Sequence, residues 1–68
     1  DYYKQKFKLS KRELQLVRMI KGGMTNREVA EELHLSIHTV EAHRKKIHAK
    51  LGVSSIAELV KKAFDLGI

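Results

Sequence analysis

Apolar residues recur at helical spacing four times along this chain, and each recurrence follows a residue suited to cap a helix. Leu14, Leu16, Val17 and Ile20 come after Ser10-x-x-Glu13, with Lys11, Arg12, Gln15 and Arg18 on the remaining surface. Val29, Ala30 and Leu33 come after Thr25-x-x-Glu28, with Glu28, Glu31 and Glu32 outside. Val40, Arg44, Ile47 and Leu51 come after Ser36 and share one narrow sector at roughly 100° per residue. Ile56, Ala57, Leu59, Val60, Ala63, Phe64 and Leu66 come after Ser55-x-x-Glu58 and fill a wider arc. A capping hydroxyl accepts from a backbone N–H that has no partner within the helix, and the carboxylate three residues on reaches back to the cap. The pattern therefore predicts an all-α chain with helices over 10–21, 25–34, 36–51 and 55–66. Gly22-Gly23, Gly52 and Gly67 supply stops.

The junction between the second and third helices carries the most information. Only His34 and Leu35 stand between the second apolar stripe and the Ser36 cap, so the two helices must meet through a tight turn, as in a helix-turn-helix. The face of the third helix opposite its apolar sector holds His38, Ala42, Lys45, Lys46 and Ala49. Small residues there permit close approach, and the cations and His38 are donors that can reach base edges and phosphates in a major groove. An ordinary solvated helix face has the same composition, and the tight turn before it favours the first reading.

Charge and size sharpen this picture. The 68 residues carry a formal net charge of +6, enough for one domain with a small core and little room for a buried active site. Residues 1–24 hold seven bases against two acids and residues 36–54 hold four against one, while 25–35 and 55–68 are acidic or balanced. A localised basic excess suits a polyanion, most often nucleic acid, although an acidic protein partner would suit the counts too. There is no cysteine, hence no disulfide framework and no thiolate metal site, in keeping with a cytoplasmic location. No apolar run approaches membrane-spanning length. His38, His43 and His48 do not stand four residues apart on the third helix, and no cofactor or metal is expected. No glycine-rich phosphate loop or activated nucleophile is present, and Ser10, Ser36 and Ser55 are explained as caps, so an enzyme is not expected. Asp1 to Lys8, polar and dotted with aromatics, reads as a linker or the tail of a preceding domain, with the folded unit at 9–68.

Leu9-Ser10-x-Arg12-Glu13, Gly23-x-Thr25-Asn26-Arg27-Glu28-Val29-Ala30, Leu33-x-Leu35-Ser36-x-x-Thr39-Val40-x-x-His43 and Lys50-Leu51-Gly52-Val53 together resemble the LuxR/FixJ-type (NarL-like) DNA-binding domain of bacterial transcriptional regulators. The resemblance implies a compact four-helix bundle that binds double-stranded DNA as the C-terminal output domain of a regulator, a two-component response regulator in the favoured case. The third helix would be the recognition helix, with Glu41, Ala42 and Lys45 at the positions that most often face bases. Relatives frequently carry Lys or Arg where Glu41 stands. Glu41 is therefore expected either to accept from a cytosine amino group or to pair with Lys45 one turn on. Phosphate contacts are expected from Thr25, Asn26, Ser36 and Thr39 near helix starts and from Lys46 and Lys50 flanking the outward face, and His38, near the helix start, is a further candidate for DNA contact. His43 matches the family's histidine beside the buried face and serves packing or a phosphate. Arg44, its stem along the core, can reach a phosphate or a carboxylate on another helix.

For the fourth helix the arc is either wrapped by the small bundle itself or split in two, with Ala57, Val60 and Phe64 serving the core and Leu59, Ala63 and Leu66 left towards an edge for a second copy. The resemblance implies a homodimer through this helix, and RNA polymerase or a signalling protein is the partner expected if the apolar arc is instead a protein-interaction surface. Two competing functions fit parts of the pattern. A helical protein-interaction module would use the apolar arc of the fourth helix, and a sigma-factor-like promoter reader would share the helix-turn-helix but not Lys50-Leu51-Gly52-Val53.

Overall fold

The computed structural model describes residues 6–68; of the expected linker, residues 1–5 lie outside the described residues. Helices α1 (Lys11–Lys21), α2 (Asn26–Leu33), α3 (Ile37–Leu51) and α4 (Ile56–Leu66) follow one another, with no strand among the described residues. Each starts at its expected cap, and the cap residue itself is extended rather than helical.

The caps differ in completeness. Ser10 Oγ accepts from Glu13 N at 3.0 Å and Glu13 Oε1 accepts from Ser10 N at 2.8 Å. Thr25 and Glu28 close the same reciprocal pair at 3.2 and 2.9 Å. At the start of α4 the box is half made: Ser55 Oγ accepts from Glu58 N at 3.1 Å, while the Glu58 carboxylate takes the Ser54 hydroxyl at 2.9 Å.

Two of the stops fall at glycines in left-handed backbone, Gly52 (φ 69°) and Gly67 (φ 71°). The stop of α2 is His34, at φ 56° and ψ 42°. Histidine tolerates this conformation better than most side chains with a Cβ. Leu35 N then donates to Ala30 O at 2.9 Å and Leu35 packs on the core, the bond and apolar contact that close a left-handed helix end. This turn fixes the angle between α2 and α3.

Leu16, Val17, Val29, Val40, Ile47 and Leu59 are fully enclosed, joined by Leu9, Leu14, Ile20, Ala30, Leu51, Ala63 and Ile68. Burying each of the larger side chains stabilises the fold by about 1.5–3 kcal/mol. Leu9 and half-buried Phe7 attach the start of the domain to this core.

Four positions of the α4 arc are reversed relative to the sequence expectation, while Val60 packs half-buried against the core as expected. Leu59 and Ala63 are fully buried and Leu66 is half-buried, whereas Phe64 is 62% exposed, Ala57 is exposed and Val60 is half-buried. Leu59 and Ala63 are thus core residues that no second copy can reach in the folded chain. The cause is the docking of α4 mainly against α1, which selects one edge of an arc too wide for periodicity to centre. The Phe64 ring lies under Lys21 Nζ, 4.4 Å from its centroid, and Nζ also donates to Ile68 O at 2.6 Å.

Candidate nucleic-acid interface

The turn at His34 leaves one side of α3 uncovered. His38, Glu41, Ala42, Lys45, Lys46 and Ala49 are all exposed there, while Val40, Ile47 and Leu51 hold the opposite side in the core. The exposed strip combines three donor side chains with two alanines, so its cations stand clear of bulky neighbours. His43 is half-buried beside the core.

Around this strip the short polar side chains are engaged at helix starts. Ser36 Oγ accepts from Thr39 N at 3.1 Å and shares a hydrogen bond with Thr39 Oγ1 at 2.9 Å. Thr25 Oγ1 accepts from Glu28 N. Thr25 and Ser36 remain exposed and Thr39 half-exposed, so capping and contact with an anion are compatible. The Thr25 N–H and hydroxyl hold the Glu28 carboxyl below its ordinary range.

Glu41 does not pair with Lys45: among the described residues, the ion pairs within 4.0 Å are Arg27–Glu31, an exposed contact of 3.5 Å, and Lys50–Glu13. Its carboxylate is open as an acceptor. Arg44, three residues along, turns away and donates from Nη1 to Asn26 Oδ1 at 2.8 Å, joining α3 to the first residue of α2. Glu41, Arg44, Lys45 and His48 line an open hollow of about 230 Å³ along the edge of the exposed strip. His48 is half-buried there, and burial together with the Arg44 charge lowers its pKa against the pull of Glu58. With its folded value depressed, His48 adds stability that is complete above its ordinary value of 6.5 and is lost as pH falls from there. No three histidines, aspartates or glutamates converge on a common point among the described residues.

Lys50 does not belong to this surface. Its Nζ donates to Glu13 Oε1 at 2.6 Å and to Lys8 O at 2.9 Å, and the Glu13 side chain is only 3% exposed. With its ammonium held by Glu13 Oε1 and Lys8 O, Lys50 is drawn towards α1 and away from the strip that Lys45 and Lys46 occupy. Sequence spacing conceals the pair, because 37 residues separate the partners. The Glu13 cap signal is visible in the sequence; the burial of its carboxylate is not. The Arg44–Asn26 bridge was equally hidden, although an arginine in an apolar sector signals that its head must find a partner.

Residues 8–63 match the family described as bacterial regulatory proteins, luxR family. The chain is 51% identical over 55 residues to the oxygen regulatory protein NreC of Staphylococcus aureus strain JH9, a match that takes in 81% of this chain and 25% of the relative. The same figures hold for the NreC proteins of strains Mu3 / ATCC 700698 and USA300. The chain thus spans only 25% of the length of these relatives.

Proposed function

This chain belongs to the luxR family of bacterial regulatory proteins, and we propose that it reads double-stranded DNA by laying the exposed strip of α3 in the major groove. The observation that carries this is the strip itself: Lys45, Lys46 and His38 exposed beside Ala42 and Ala49, on a helix set by the three-residue turn His34–Ser36. A helix backed by Val40, Ile47 and Leu51 is held rigidly enough to present side chains in fixed register. Lys45 and Ala42 face bases, Lys46 neutralises a phosphate, and His38, Thr25, Asn26, Ser36 and Thr39 donate to the backbone at the edges.

In the intact regulator, within the cytoplasm, this domain is the output of a two-component response regulator. It acts as a homodimer on an inverted repeat, and the apolar part of α4 left for the second copy is Ile56, Ala57 and Phe64. No helix of the described residues is long and apolar enough to cross a membrane.

Selection of bound fragments from bacterial genomic DNA, followed by titration of the best duplex over a salt series, tests the reading. A recurrent two-fold motif bound with a steep salt slope is expected; uniform weak binding that ignores salt would defeat it and favour a protein-interaction module. Lys46→Ala should lower affinity across all duplexes and flatten the slope by about one unit. An unchanged slope would take Lys46 off the phosphate backbone.

The unpaired Glu41 carboxylate favours direct readout of a base amino group. Glu41→Ala is expected to change the preferred base at one operator position, relaxing discrimination there by about 1–3 kcal/mol. Repeating the selection with this variant checks it, and an identical motif would leave Glu41 without a reading role.

A further inference from the structure

Arg44 occupies the inward sector of α3, yet its Nη1 reaches across to Asn26 Oδ1, 2.8 Å away on α2. A guanidinium carries donors and no acceptor, so the amide oxygen of Asn26 must be the atom that faces it. The amide NH2 is thereby turned the other way. There it meets no acceptor among the described residues, and it is not among the enclosed polar atoms that lack a partner. Asn26 directly follows the exposed Thr25 cap, at the edge of the surface assigned above to the DNA backbone.

We propose that Arg44 is a positioning residue for DNA binding: by holding Asn26 Oδ1 it presents Asn26 Nδ2 to one particular backbone phosphate. The inference rests on the DNA-binding reading above. An unrestrained amide can turn either its oxygen or its nitrogen outward, and an outward oxygen repels a phosphate. The hydrogen bond from a cation also polarises the amide, so that its N–H groups become better donors.

Two features of Arg44 fit positioning better than simple joining of helices. Its Nε is enclosed without a partner, a burial penalty that an apolar side chain joining α2 to α3 would not incur. It also lies three residues from Glu41, at helical pairing distance, and takes Asn26 in preference.

The test uses this chain and its selected operator, with a neutral methylphosphonate replacing one phosphate at a time. In the wild type one position should be sensitive through Asn26. Asn26→Asp keeps an acceptor for Arg44 but loses the outward N–H groups. It should melt at the wild-type temperature, bind the operator about tenfold more weakly, and respond in the opposite sense at that one position, where neutralisation should strengthen binding because the outward carboxylate oxygen repels the charged phosphate. Arg44→Met should silence the same position and leave the others responsive. Wild-type affinity in Asn26→Asp, or weakening in Arg44→Met spread evenly over all phosphates, would overturn the positioning role while leaving DNA binding intact. If Arg44→Met does not fold, Arg44→Lys replaces it: a shortened donor that no longer reaches Asn26 Oδ1 should silence the same single position, and full sensitivity there in a variant lacking that bond would overturn the role. Failure of the wild-type chain to bind any duplex in a salt-dependent way would instead overturn the DNA-binding reading.

Discussion

Leu59→Lys is expected to leave this chain without a cooperative unfolding transition. Leu59 is fully enclosed between α4 and the rest of the core, where truncating a leucine alone costs about 2–5 kcal/mol. An ammonium placed in this enclosed apolar core adds several kcal/mol more. A domain of this length has roughly 3–10 kcal/mol of stability in total. The substitution therefore exceeds or exhausts what holds the fold. Phe64→Gln makes the contrast, because Phe64 is 62% exposed and its loss removes little beyond the contact with Lys21. That variant should melt cooperatively near the wild-type temperature. Thermal melts followed by far-UV circular dichroism on both variants decide the matter: a cooperative melt in Leu59→Lys would mean that this edge of α4 is accessible after all. Only Phe64→Gln is then suited to ask, by sedimentation on operator DNA, whether α4 pairs two copies.

The reversal on α4 shows where local sequence information ends. Helix starts are written locally, since a cap and its carboxylate stand three residues apart, and Ser10, Thr25, Ser36 and Ser55 all cap as expected. The exposed strip of α3 is legible for the same reason: Val40, Ile47 and Leu51 form a narrow apolar stripe with one possible centre, which leaves the opposite face to solvent. On α4 the apolar arc from Leu66 round to Ala57 is too broad to have one centre. Which edge is buried depends on how α1 lies across it, and that is a tertiary fact. The His34 stop illustrates a different gap, because its left-handed backbone is required by the meeting of α2 and α3 rather than advertised by the residue type. Charge counts mislead in a related way. Lys50 adds to the basic excess of the third helix but is drawn to Glu13 on α1, so the positive face of α3 is smaller than the composition of residues 36–54 indicates.

The second large effect belongs to that hidden pair. Lys50→Met is expected to lower stability by about 2–3 kcal/mol, and hence the melting temperature by roughly 10–20 °C in a domain of this size. Burial pushes the Glu13 carboxyl up, but the Lys50 ammonium and the Ser10 N–H outweigh it and hold the group below its ordinary value of 4.5. Without Lys50 the carboxylate keeps only Ser10, and Glu13 Oε2 is enclosed with no partner even in the wild type. The full penalty for a broken buried pair is not expected, because the Lys50 side chain is 33% exposed and water screens it. The pH dependence follows from the sign of the shift. A depressed folded pKa means that Glu13 stabilises the wild type above pH 4.5 and loses that contribution as the pH falls below it. In Lys50→Met burial is opposed by Ser10 alone, so the carboxyl moves upward from its wild-type position, and once protonated it no longer needs a cation. The gap between the two proteins should therefore be widest near neutrality and narrow on acidification through the carboxylate range. Urea unfolding of both across that range measures it. Below the melting temperature of the variant, the operator salt slope should match the wild type, because Lys50 is already committed to Glu13. A flattened slope with stability retained would return Lys50 to the DNA backbone.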